Sequence, residues 1–241
     1  IAGITRFTQK AQWSPNGSNW GHYYTPEMEG LITAAFNEFD TAKRLDILKR
    51  CLPSHQAVSR PVDYFDSVMP SIWLLAAPPR NVLGLYNWDS APRAIGYDAG
   101  KAGLDAAKTY HVFDFWGNKP AAGFKGGFAF EVPGESCRIM AVRADEGRPV
   151  VVSTSRHVTQ GVVDLADEKW GRNQLSATSR VVAGDPYEIR IAGMERWKAV
   201  AATAPDDVSV TMLPSEAGWL RLRIASKTSR EVEWSVRCES K

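Results

Sequence analysis

The hydrophobic periodicity of this chain changes at Pro78-Pro79, and that change limits the fold more than any other feature. Upstream, apolar residues recur at helical spacing. Met28, Leu31, Ile32, Ala35 and Phe36 fall at i, i+3, i+4, i+7 and i+8, one face of a helix. Thr25-Pro26-Glu27 supplies an N-cap, a proline at the first helical position and an acidic first turn. Asp40 is placed to cap a second helix, with Leu45, Leu48 and Leu52 on one side and Pro53 as its stop. Downstream, short alternating runs replace this pattern, punctuated by Gly, Pro, Asn and Asp.

The runs predict strands over Asn81–Trp88, Ala94–Asp98, Thr109–Trp116, Gly126–Val132, Cys137–Arg143 and Pro149–Thr154. A second series covers Thr178–Val182, Tyr187–Ile191, Val208–Leu213, Trp219–Ile224 and Glu231–Arg237. Strands this short and this closely spaced build antiparallel sandwiches, not βαβ units. The expected fold is mainly β: antiparallel β-sandwich units preceded by a short helical and loop segment. The expected division is 1–78 helical/loop plus linker, 79–161 a β-sandwich, and 162–241 a second β-sandwich or extension. The stretch after Pro53, with Pro61, Pro70, Pro78 and Pro79, reads as the connector.

Charge and cysteine content exclude several classes. With 29 basic and 27 acidic residues the formal charge is +2, which gives no field to attract nucleic acid. The longest apolar runs, such as Ile72–Ala77, are too short for a membrane span. Cys51, Cys137 and Cys238 are far apart and form no C-x-x-C pair, so no zinc site is expected. They read as free thiols, with a Cys137–Cys238 bridge as the alternative. Ile1-Ala2-Gly3-Ile4 has neither a Met start nor a signal-peptide pattern, so the chain is expected to begin within a longer protein.

Motif tests are mostly negative. Gly96–Ala102 hints at a phosphate loop but is one residue short and lacks the terminal hydroxyl residue; a hairpin loop is expected. Gly134-Glu-Ser-Cys137 begins like a nucleophile elbow, but Arg138 replaces the second glycine, which leaves a turn. The four histidines have no metal-ligand spacing, and no cofactor or metal is expected. Ser155 and His157 would share a face on a strand, within hydrogen-bond reach, but no orienting acid lies nearby in sequence. Candidate substrate-binding residues crowd into the N-terminal loop: Trp13, Asn16, Asn19, Trp20, His22 and Tyr23. Aromatic plates cover the C–H faces of sugars, and Asn or His side chains pair with hydroxyls. The alternative is a loop anchored by its aromatics against a neighbouring domain.

Several strings resemble the C-terminal region of α-galactosidase-like glycoside hydrolases. Asn81-Val-Leu-Gly-Leu-Tyr-Asn-Trp-Asp89 resembles the first strand and turn of that family's β-domain. Tyr110-His-Val-Phe-Asp-Phe-Trp116 resembles its aromatic, apolar, Asp, apolar, Trp strand, and Ser155-Arg-His-Val-Thr-Gln-Gly161 its closing segment. Arg44–Pro53, Arg60-Pro-Val-Asp63 and Ile72-Trp73 resemble the end of the catalytic barrel and the linker leading out of it. The resemblance covers roughly residues 28–161. It implies a catalytic barrel upstream in the same polypeptide, two carboxylates acting with retention on α-linked sugars, and a periplasmic or extracellular setting. No strand-end Asp motif is present here, so the chain is expected to be an accessory region, not catalytic alone. A stand-alone carbohydrate-binding module and a structural or interaction domain are the alternatives. Asp114 is expected to need a partner, Arg156 or a turn N–H, and Trp88 and Trp116 are expected to fix the sandwich against a barrel.

Overall fold

The computed structural model describes residues 26–41, 43–44 and 58–241. The chain forms two compact units, divided between Gln56 and Ala57. In the first, α1 spans Pro26–Asn37. Ile32 and Ala35 are buried, whereas Phe36, expected on the same face, is 54% exposed. Asp40 accepts the N–H of Lys43 at 2.9 Å, the capping contact expected of it. Among the described residues no helix is long and apolar enough to cross a membrane.

The second unit is mainly β and antiparallel throughout. Its first eight strands are β1 (Ser59–Pro61), β2 (Ile72–Ala77), β3 (Arg80–Asn87), β4 (Arg93–Asp98), β5 (Thr109–Asp114), β6 (Lys119–Lys125), β7 (Gly127–Val132) and β8 (Ser136–Ala144). They form one sheet in the order β1-β2-β3-β8-β5-β6-β7-β4. The sheet folds over itself at Gly126, whose φ of +78° suits a residue without Cβ, and β6 and β7 share a single residue pair there. Ile72, Leu74, Leu83 and Leu85 thereby share a core with Ile95, Phe124, Phe128 and Val132. The prolines that make residues 61–79 read as a connector lie at strand ends. Pro61 closes the edge strand β1, Pro70 precedes β2, and Pro78-Pro79 links β2 to β3, all positions that need no ladder N–H.

The remaining strands are β9 (Val150–Thr154), β10 (Leu165–Gly171), β11 (Gln174–Val181), β12 (Tyr187–Ala192), β13 (Trp197–Thr203), β14 (Val208–Leu213), β15 (Trp219–Ser226) and β16 (Arg230–Ser240). Two four-stranded sheets result, β10-β11-β16-β13 and β14-β15-β12-β9. Leu175, Val232, Trp234 and Val236 of one meet Tyr187, Ile189, Leu222 and Ile224 of the other, which makes a sandwich core. In the first of these sheets β16 is flanked on both sides, by β11 and β13, and β13 has β16 as its sole neighbour. Strand β9 follows β8 directly in sequence but pairs with β12. Phe113 and Ala141 of the eight-stranded sheet pack with Val150, Val152 and Ala192, and Trp219, at the start of β15, covers Phe113 at 5.7 Å.

A β-bulge in β10 shapes this junction. Pairing with β11 shifts register between Ala166 and Lys169, and Asp167 takes φ +53°. The extra residue turns Glu168 inward while Ala166 and Lys169 stay exposed. Glu168 then accepts from Arg80 at 2.7 Å and Arg143 at 2.5 Å, two arginines of the eight-stranded sheet. Nearby, Tyr187 donates to Asp164 at 2.8 Å and Thr154 donates to the same oxygen at 2.7 Å. Burial first, then the Asp164 charge, pushes the Tyr187 phenol well above the ordinary tyrosine value. The folded phenol keeps its proton at a pH where the unfolded one, near 10, loses it. Its contribution is complete below about pH 10 and is lost as pH rises beyond that. Tyr187→Phe is therefore expected to flatten the alkaline fall in stability and to cost about 1 kcal/mol at neutral pH. Urea melts between about pH 9 and 11 check this; an unchanged alkaline slope in the variant would count against it.

Candidate functional site

The residues that composition points to as sugar-binding, Trp13, Asn16, Asn19, Trp20, His22 and Tyr23, lie outside the described residues. Within them, an aromatic groove on the outer face of β2, β3 and β8 stands out. Alternation along β3 sends Leu83 and Leu85 into the core and Val82, Gly84 and Tyr86 to this face. Gly84 leaves the floor open: a Cβ there would meet the Tyr86 ring at 3.0 Å and Ile139 at 3.6 Å. Tyr86 and Trp88 stack with centroids 5.6 Å apart and planes 11° apart. The Trp88 indole N–H donates to the Pro70 carbonyl at 3.0 Å, which fixes a ring that is 50% exposed. Trp73 and Leu75 of β2 complete the wall, and Val158 and Thr159 close the far side of a cavity of about 450 Å³.

Among the described residues, no carboxylate or cation lines this groove. It can cover an apolar surface. Burial, followed by Cys137 beside it, raises the Tyr86 phenol above its ordinary value, so Tyr86 is a neutral wall at physiological pH. The buried carboxylates lie elsewhere, and the fold itself engages them. Asp63 accepts the Ser71 and Ile72 N–H groups, Glu188 pairs with Arg190 and Arg221, and Asp164 and Glu168 hold the junction. Asp114 accepts the Gly117 N–H at 3.0 Å and pairs with Arg138. The turn N–H is thus the partner the sequence leads one to expect, but the cation is not Arg156, which pairs with Asp185.

Other expectations resolve as follows. Residues 155–164 form turns, not a strand, so Ser155 and His157 do not pair. Ser155 accepts the Glu188 N–H at 2.8 Å, and His157 contacts Thr159 at 3.1 Å. Instead of a hairpin loop, Ala99–Ala102 is a one-turn helix, α2, capped by Asp98, which accepts the Lys101 N–H. That contact occupies a donor a phosphate would need. Cys137 and Cys238 are both free, on separate sheets. Trp116 is 62% exposed and meets Phe115 edge-on. Sequence reasoning missed Trp73 as a groove residue because β2 was hidden among prolines; the alternation of Trp73 and Leu75 was the available signal.

No protein-family model matches the chain, and no curated protein matches it. Among solved structures it is similar to α-galactosidase I from Mortierella vinacea, with 15% identity over 40% of this chain and 26% of that one, at a TM-score of 0.31. A β-L-arabinopyranosidase from Geobacillus stearothermophilus is similar at 14% identity, covering 56% and 34%, with a TM-score of 0.33. An isomalto-dextranase from Arthrobacter globiformis T6 is similar at 11% identity, covering 96% of this chain and 48% of that chain, with a TM-score of 0.30. The chain thus spans less than half the length of each of these structures. Likeness this slight transfers neither a fold nor an activity.

Proposed function

We infer that this chain is an accessory β-region of a glycoside hydrolase acting on α-linked sugars, α-galactosidase-like in kind and not catalytic by itself. The observation that carries this reading is a convergence. Three separate strings resemble that family's C-terminal domain, and all three contribute to one face. Asn81–Asp89 supplies Val82, Gly84, Tyr86 and Trp88. Tyr110–Trp116 supplies Phe115, which packs with Leu75, Val82 and Ile139. Ser155–Gly161 supplies Val158 and Thr159. Among the described residues, the buried carboxylates are engaged within the fold, which agrees with a non-catalytic role, because a general acid must face its substrate. The hydrolytic pair belongs to an upstream barrel of the same polypeptide. The half-exposed Trp88 favours a second reading, a stand-alone carbohydrate-binding module, since an exposed aromatic plate is what such a module presents.

The 241-residue chain and its full-length parent are to be assayed side by side with p-nitrophenyl α-galactoside and other α- and β-glycosides. Turnover by the parent and none by the chain is the expected result. Turnover by the chain that disappears when one of its own carboxylates is changed would overturn the reading. An inactive parent would favour the module.

A further inference from the structure

The outer face of the sheet β10-β11-β16-β13 carries a polar trough of about 520 Å³, within the range of ligand sites. Register pairs Lys169 with Ser176, Ser176 with Ser235, and Ser235 with Thr203, so one row of side chains crosses all four strands. At about 4.8 Å between strands the row is roughly 14 Å long. Exposed rows of this kind are ordinarily covered by long side chains whose stems lie across the sheet. Here the three positions inward of Lys169 are hydroxyl residues, and their shortness makes the trough. Thr203 and Ser235 bond each other at 2.8 Å, and each hydroxyl can still donate or accept elsewhere.

The rim is polar and uncommitted. Glu233 stands opposite Thr178 in the next row, and Gln174 lies in the row beyond Ser176. The bulge that turns Glu168 inward leaves Asp167 outside, at the edge of the same trough. Among the described residues Asp167, Lys169 and Glu233 form no ion pair. Two carboxylates and one ammonium leave a net charge of −1, a weak field that selects against anionic ligands. Carboxylates accept from adjacent hydroxyls in pairs, and short hydroxyls and an amide both give and take hydrogen bonds.

We propose that this trough binds a short neutral oligosaccharide lying along the Lys169–Thr203 row. This rests on the carbohydrate reading of the chain but places sugar contact on the second sandwich, away from the aromatic groove. The Trp234 ring lies beneath the trough and is only 3% exposed, so no aromatic plate adds to the hydrogen bonds and binding is weak, with Kd in the millimolar range.

The test is amide chemical-shift mapping on the whole 241-residue chain with isomaltotriose, raffinose, maltotriose and cellotriose at up to about 10 mM. Shifts confined to residues 174–178, 203–205 and 233–235 with at least one sugar are expected. Ser176→Trp, which fills the trough from a solvent-facing position, should abolish them. Glu233→Gln, which leaves packing untouched, should weaken binding roughly 3- to 10-fold, because the amide oxygen still accepts but without the charge. Should Ser176→Trp misfold, Glu233→Gln alone decides. No shift with any of the four sugars, shifts at Tyr86 and Trp88 instead, or full binding by Glu233→Gln would overturn the proposal. Glycoside turnover by the parent is a separate measurement, so the accessory-region reading and the trough can fail independently.

Discussion

Replacing Glu168 with glutamine is expected to destabilise the β-unit by about 3–5 kcal/mol, the usual loss when one partner of a buried ion pair is removed. For a unit of this size that lowers Tm by roughly 10–15 °C. The carboxylate is 7% exposed and serves three groups: Arg80, Arg143 and, more weakly, the Val151 N–H at 3.4 Å. Both arginines come from the eight-stranded sheet, whereas Glu168 comes from β10. Burial first holds the Arg80 guanidinium below its ordinary value; Glu168 pulls it back up and Arg143 pushes it down. Without Glu168, two buried cations face each other. Arg143 keeps Glu146 at 2.9 Å and the Val151 carbonyl at 2.9 Å, but among the described residues Arg80 keeps only the Leu165 carbonyl at 3.4 Å. Calorimetry checks the loss. Adding Arg80→Met to Glu168→Leu should recover part of it, because a buried pair replaced by apolar groups is often neutral. A Tm for Glu168→Gln within about 2 °C of the parent chain would show that the junction does not depend on this carboxylate.

Trp234→Ala should cost a similar amount, about 3–5 kcal/mol, for a different reason. The indole lies at the centre of the sandwich core between the two four-stranded sheets, and its N–H donates to Ser179 at 2.9 Å. Truncation leaves a cavity that flanking strands cannot collapse into without breaking register, and it leaves the buried Ser179 hydroxyl short of a partner. Trp234→Phe fills most of the volume and should cost only about 1–2 kcal/mol. In urea the alanine variant should show a lower midpoint at an unchanged m-value. A midpoint equal to that of Trp234→Phe would mean that the cavity is relieved by repacking.

Where local pattern and tertiary role agree, the strands were legible. Leu220, Leu222 and Ile224, then Val232, Trp234 and Val236, alternate because each strand has one buried face. Besides the three-residue edge strand β1, four strands escaped the sequence, for separate reasons. Strand β2 sits between prolines that belong to its ends. In β6, Lys-Pro-Ala-Ala-Gly-Phe-Lys, only Phe124 is buried and no alternation forms. Strand β13 is built on small alanines that carry little period. Strand β10 breaks period two at its bulge, and the purpose of that break lies in Arg80 and Arg143, distant in sequence. The same distance hid the groove and the trough. Tyr86 and Trp88 were visible as residues, but Trp73 joins them only through the pairing of β2 with β3. The hydroxyl row exists only once four strands are in register.

The position of β16 bears on how this unit is made. As the chain emerges from the ribosome, β9, β12, β14 and β15 are complete at Ser226 and can pair with one another. Their apolar face, with Ile189, Leu222 and Ile224, then has only β10 and β11 to cover it. Strand β13 has no partner at all until residues 230–240 are synthesised and slot between it and β11. Through that interval two open strand edges and half a core face the cytosol or a translocation channel, the condition in which nascent β-proteins associate wrongly. Slowing translation ahead of Arg230 should lengthen the exposure, and chaperone demand should fall once the final strand has passed.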